Sequence, residues 1–157
     1  MNWYKKIAAN EEYRFTPHSP DGFYEDGYED VDHSDLANQA DQIANSSGIR
    51  ILRDKELNQT VRDSSGKVVG ALYTSIINDV FSFDIVVDPN SQGQGIGSQL
   101  VESAILEFNN YKFDMMPNLK MEADVVSPVM KHILDKKGWR VKKRVGKHII
   151  MISSRSK

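Results

Sequence analysis

Cysteine is absent from the 157 residues, which excludes disulfides, thiolate metal sites and a cysteine nucleophile within the chain. Any thiol chemistry has to arrive on a second molecule. Long apolar runs are also missing. Residues 1–10 carry two lysines and only Ile7-Ala8-Ala9 as an apolar patch, far short of a signal-peptide core, and no later run is long enough to cross a bilayer. A soluble, cytoplasmic protein with no membrane partner is expected. Nor does either sign of charge dominate, with 20 Lys and Arg against 22 Asp and Glu, so no overall field draws the chain to nucleic acid.

What is present fits one domain with a full core, preceded by a segment of different character. Residues 1–33 hold Pro17, Pro20, scattered aromatics and the acidic run Asp21-Gly22-Phe23-Tyr24-Glu25-Asp26-Gly27-Tyr28-Glu29-Asp30. Their periodicity matches neither strand nor helix, and charge-rich, glycine-containing segments rarely pack. They are read as an acidic, aromatic-containing arm, loosely docked or mobile, or as an acidic lip for a cationic substrate, or as a segment that docks on a partner. Residues 34–157 form the domain proper.

From Ser34 the pattern becomes helical, with Leu36, Ala37, Ala40, Ile43 and Ala44 on one stripe and Gly48 as the stop. Strands are expected at 49–52 and 57–62, then a hairpin of 67–77 and 80–87 turning at Asn78-Asp79. Ile96, Leu100, Val101, Ala104, Ile105 and Phe108 predict a second helix that stops near Asn109-Asn110. A strand over 119–125, a short helix opened by Ser127-Pro128, and a closing hairpin of 139–145 and 147–152 complete the chain. The order predicts an α/β (α+β) sandwich around one mixed sheet.

Chemistry concentrates between the fourth expected strand and the second helix. A strand running into Asp88-Pro89, a short loop with Gly93, Gly95 and Gly97, and an immediate helix expose several backbone N–H groups at a helix start. Such a site holds phosphate oxygens without side-chain charge. A dinucleotide fingerprint fits poorly, because Ser98 stands where the third glycine belongs; a P-loop is excluded by the lack of Gly-Lys-Ser/Thr. A purely structural glycine turn is the remaining alternative.

The run Ile85-Val86-Val87-Asp88-Pro89-Asn90-Ser91-Gln92-Gly93-Gln94-Gly95-Ile96-Gly97-Ser98-Gln99-Leu100 resembles the acyl-CoA-binding motif of the GCN5-related N-acetyltransferases, Gln/Arg-x-x-Gly-x-Gly/Ala. Gln92, Gly95 and Gly97 take its defining places, and Val87-Asp88-Pro89 supplies the upstream Val-x-Pro. The resemblance implies a mixed, mostly antiparallel sheet flanked by helices on both faces, with acetyl-CoA as cofactor. It implies that Gln92, Gly93, Gln94, Gly95, Ile96, Gly97 and Ser98 hold the pyrophosphate, and that Ile85, Val86 and Val87 pair with the pantetheine arm. It implies transfer of an acetyl group to a primary amine by direct attack, the oxyanion held by a backbone N–H of that strand.

The second motif of the family departs here: Ser127 takes the usual Asn place and Leu134 the usual Tyr place, while Gly138-Trp139 keeps the Gly-aromatic ending. The usual general acid is missing, which leaves a catalytically degenerate coenzyme-binding or protein-interaction module as the alternative function. Candidate catalytic residues are Asp84, next to the binding strand, and Ser127, which would otherwise cap its helix. Glu122 and Asp124 share one face of their strand and suggest either a cationic acceptor or a solvated face. His148 on the last strand could reach the site or be structural, His132 falls opposite its helix's apolar stripe, and Tyr73 and Tyr111 are alternative acids. Arg140, Lys142, Lys143, Arg144 and Lys147 form a basic patch suited to the adenosine 3′-phosphate, to a nucleic acid or, more commonly, simply to solvent. No metal is expected. The acceptor is a small molecule or a protein, and the protein a monomer or homodimer.

Overall fold

The computed structural model describes residues 13–18, 33–51 and 54–153. Among these residues seven strands form one sheet in the order β1-β2-β3-β4-β5-β7-β6. They are β1 (Tyr13–Pro17), β2 (Glu56–Asp63), β3 (Val68–Ile77), β4 (Val80–Val87), β5 (Lys120–Val125), β6 (Arg140–Val145) and β7 (His148–Ile152). Among the described residues three helices cover it: α1 (His33–Ser46), α2 (Ile96–Asp114) and α3 (Pro128–Lys136). Every neighbouring pair is antiparallel except β4 and β5.

Period-two alternation sorts the strand residues onto two faces. Leu72, Phe81, Phe83, Met121, Ala123 and Met151 face α2 and α3, whose Ile96, Leu100, Ala104, Met130 and Leu134 close the larger core. The other face presents Val68, Ala71, Tyr73 and Val86 to Leu36, Ala40, Ile43 and Ala44 of α1. Gln39 locks that helix in place by accepting the Val68 N–H at 3.0 Å. The hairpin turn works because Asn78 and Asp79, at φ 53° and 61°, tolerate the left-handed geometry that a tight two-residue connection demands.

Three expectations change. Residues 49–51 are not a strand: the Ile49 N–H caps α1 on the Ala44 carbonyl at 2.8 Å, and Ile49 and Ile51 pack beneath that helix. The edge of β2 is taken instead by Tyr13–Pro17, inside the segment whose periodicity gave no strand; Pro17 sits at an edge, where its missing N–H breaks no ladder. The acidic run at 21–30 lies outside the described residues. Finally, α2 does not stop at Asn109-Asn110 but runs to Asp114, because Phe108 and Tyr111 both pack on Phe81, at 6.0 and 6.4 Å between ring centres.

Candidate active site

The parallel pair β4–β5 is short. Its register runs from Val80↔Lys120 to Phe83↔Ala123 and then ends, although β4 continues to Val87 and β5 to Val125. Past that point the two strands have no ladder between them. The Asp88 N–H bonds to the Val69 carbonyl on β3 at 2.8 Å. Backbone direction alternates along a strand, so the N–H groups of Val87 and Ile85 point the other way, into the opening. Val86 directs its N–H to β3 and its side chain to the core under α1.

A cleft of about 530 Å³ occupies this opening. Its walls include Ile85, Val87, Gln92, Gly93, Gly95, Ile96, Gly97 and Ser98 on one side and Val126, Ser127, Pro128 and Met130 on the other. Ser47 and Ile49 also line it, so the cleft reaches from the α2 side of the sheet to the end of α1. Of the residues expected to hold a cofactor, Val86 and Gln94 are not among its walls.

The loop has the shape its sequence demands. Asp88 accepts the Asn90 N–H at 2.9 Å and starts the single turn Pro89–Ser91. Gly95 then takes φ 82° and ψ 3° as the cap of α2 and makes no side-chain cap bond, which leaves the first N–H groups of the helix to an outside partner. A Cβ built on Gly95 meets nothing within 4 Å, so the space before the helix is open. Gly97 is needed for the opposite reason: a Cβ there would stand 3.2 Å from Met130 Cε and 3.3 Å from Ile133 Cδ1, where α3 crosses. The donor set and the open cradle fit a pyrophosphate.

Ser127 does two things. Its Oγ accepts the Met130 N–H at 3.4 Å as the cap of α3, and it lines the cleft. Leu134, in the place of the usual tyrosine, is fully buried in the core. Tyr73 donates to Asp41 at 2.7 Å beneath α1, and burial together with that bond pushes its hydroxyl well above the ordinary tyrosine range. Burial also raises Tyr111, on α2. Neither lines the cleft. His132 is exposed, as is the basic patch on and beside β6.

Sequence reasoning missed a buried charge cluster on the α1 side of the sheet. Lys55 Nζ lies 3.3 Å from Asp84 Oδ2 and 3.7 Å from Asp124 Oδ2. Asp124 Oδ1 is 2.7 Å from His148 Nδ1, and Glu122 meets Lys142 at 2.8 Å. Glu122 and Asp124 are therefore not a solvated face: they are 3% and 7% exposed. Asp84 and Asp124 each stand one residue beyond the last β4–β5 pair, at the apex of the opening. Their shared face was legible; Lys55, alone between short segments, gave no signal. Among the described residues no group of His, Asp and Glu is arranged to hold a metal ion.

Residues 55–126 match the family described as acetyltransferase (GNAT) domain. No curated protein sequence matches the chain. Among solved structures, an acetyltransferase of the GNAT family from Staphylococcus aureus superposes with a TM-score of 0.58 at 12% identity, over 89% of this chain and 98% of that one. Nourseothricin acetyltransferase gives 0.57 at 14% identity, over 90% and 98%. A PaiA N-acetyltransferase from Thermoplasma acidophilum, solved in complex with coenzyme A, gives 0.52 at 17% identity, over 76% and 69%. The fold is the α/β sandwich that these solved acetyltransferases share. Residues 55–126, just under half of the chain, carry the similarity to the GNAT acetyltransferase domain, and the fold of the solved structures agrees with it.

Proposed function

We propose that this protein transfers an acetyl group from acetyl-CoA to a primary amine by direct attack in a ternary complex. The observation that carries the reading is the opening between β4 and β5, which joins the glycine loop on one side of the sheet to the α1 face on the other. When bound, acetyl-CoA supplies the thioester acetyl group that the amine takes up. The N–H groups at the start of α2, with the loop from Gln92 to Ser98, hold its pyrophosphate. The free strand edge at Ile85 and Val87 pairs with the amides of its pantetheine arm, and one of those N–H groups faces the developing oxyanion. The Ser127 hydroxyl, whose oxygen serves the helix cap, keeps its proton to donate to the cofactor. Asp84 acts as a fixed negative charge at the apex of the opening.

The same geometry supports a reading of the acceptor. Asp84, Asp124 and Glu122 on the α1 face favour a cationic amine, of a small molecule or a protein. Exposed Arg140, Lys142, Lys143 and Arg144 on the edge strand β6 oppose pairing with a second copy, which favours a monomer. No helix among the described residues is long and apolar enough to cross a membrane. The cytoplasm is the proposed location. Leu134 in the tyrosine place supports one other reading, a module that binds the coenzyme without turnover.

A thermal melt decides the cofactor first. Acetyl-CoA at about 100 times its Kd stabilises the fold by roughly 2.7 kcal/mol, on the order of 5–10 °C for a domain of this size. A thiol reagent then reads release of coenzyme A over a panel of amines, without background from a chain that has no cysteine. No shift at millimolar acetyl-CoA sinks the proposal; a shift without turnover on any amine leaves the binding module.

A further inference from the structure

We infer that His148, held by Asp124, is the base that takes the proton from the acceptor's ammonium; this rests on the transferase reading above. A carboxylate only accepts hydrogen bonds, so the proton in the 2.7 Å contact between Asp124 Oδ1 and His148 Nδ1 belongs to the imidazole. That bond fixes the Nδ1–H tautomer and leaves Nε2 with its lone pair, the arrangement by which a carboxylate orients a histidine base.

Placement supports the role. The last β5–β7 pair is Val125↔Ile149, so His148 stands opposite Val126, which lines the cleft. Ile149 and Met151 turn to the larger core, and His148 therefore turns to the α1 face, where Ser47 and Ile49 mark the far mouth of the cleft. Among the four side chains joined through Asp124 it is the most exposed, at 13%, against 0% for Lys55 and 2% each for Asp84 and Asp124. Asp84 is sealed behind Lys55 and offers the acceptor a field rather than an oxygen. The charged groups on this face around His148 are Asp124 and Glu122 on β5, Asp84 on β4, Lys55 ahead of β2, and Lys142 and Lys143 on β6.

A neutral imidazole has a ring lone pair that can take a proton and hand it on to water, which is the part histidine plays in general base catalysis. The ammonium gives one proton to Nε2, which passes it to water. The freed amine forms the C–N bond as C–S breaks, and the second proton that nitrogen sheds goes to the departing sulfur. Asp124 and Lys55 are positioning residues in this scheme.

Two readouts on the full chain test it. Long-range nitrogen-15 NMR of the imidazoles should show His148 as the Nδ1–H tautomer, switched to Nε2–H in Asp124→Asn, whose amide donates instead. With spermidine as probe, kcat/KM should fall about 10²–10⁴-fold in His148→Gln and lose its acidic limb. The acetyl-CoA melt shift should persist in both variants, showing that they fold and bind. An Nε2–H tautomer in the wild type, or a His148→Gln variant within threefold of wild type with the same pH profile, overturns the assignment alone. A wild type that turns over neither spermidine nor any other amine overturns the transferase reading, and the base with it.

Discussion

Replacing Lys55 by methionine keeps much of the side chain's length and deletes its charge. Nζ lies 3.3 Å from Asp84 Oδ2 and 3.7 Å from Asp124 Oδ2, and the three side chains are 0%, 2% and 2% exposed. Water has little access, so two carboxylates face each other with the cation between them gone. Removing one partner from a buried ion pair costs about 3–5 kcal/mol. At roughly 2–4 °C per kcal/mol for this chain length, Tm should drop on the order of 6–20 °C. The pH dependence has a definite sign. Repulsion in the variant is relieved when one carboxyl takes up a proton, so its folded state binds protons more readily than its unfolded chain, and its stability falls as pH rises. The deficit against wild type is therefore greatest near neutrality and shrinks on acidification. Adding Asp84→Asn should recover part of the loss at neutral pH. Calorimetry of the three proteins near pH 5 and near pH 7.5 measures all of this. A deficit below about 1 kcal/mol at neutrality, or one that widens on acidification, refutes the role of Lys55 as a buried counter-ion.

Three further outcomes are expected. Gly95→Trp forces a side chain into φ 82° and should lower the melting temperature of the free protein by a few degrees, at roughly 1–2 kcal/mol, while abolishing the acetyl-CoA shift because the indole fills the cradle. Ser127→Ala removes the cap of α3 and should cost about 1 kcal/mol in a denaturant titration; loss of its bond to the cofactor should raise the acetyl-CoA KM roughly 2–10-fold with kcat little changed. His18, half-buried against Thr60, His33 and Arg62, has its pKa lowered to about 4 from 6.5, mainly by desolvation, then by those two neighbours. The folded state thus resists a proton that the unfolded chain accepts: stability is full above about pH 6.5 and is lost as pH falls toward 4, by about 1–2 kcal/mol after discounting for solvent screening. His18→Gln should flatten that part of the profile.

Local chemistry explains which parts were legible in the sequence. The glycine loop, the turn at Asn78-Asp79 and the stripe of α2 follow from backbone constraint and periodicity over neighbouring residues, and each stands where the residues put it. The strand expected at 49–52 failed because apolar residues at a helix exit satisfy their burial as well under the helix as in a sheet. Tyr13–Pro17 escaped notice because pairing with a partner 42 to 50 residues away leaves no trace in five residues. Lys55, Asp84, Asp124 and His148 come from four separate segments; only the parting of β4 from β5 and the register of β7 bring them to one place.

That parting also says something about how such a site tolerates change. The groups it presents at Ile85 and Val87 are peptide amides, and every residue but proline carries the same donor. A surface of this kind is indifferent to the side chains beside it, provided the strand keeps its path and the neighbouring strand stays away. The information that specifies it is a missing ladder rather than a chosen residue. Where a fold is shared at only 12–17% identity, an edge made of backbone constrains few of the residues that differ.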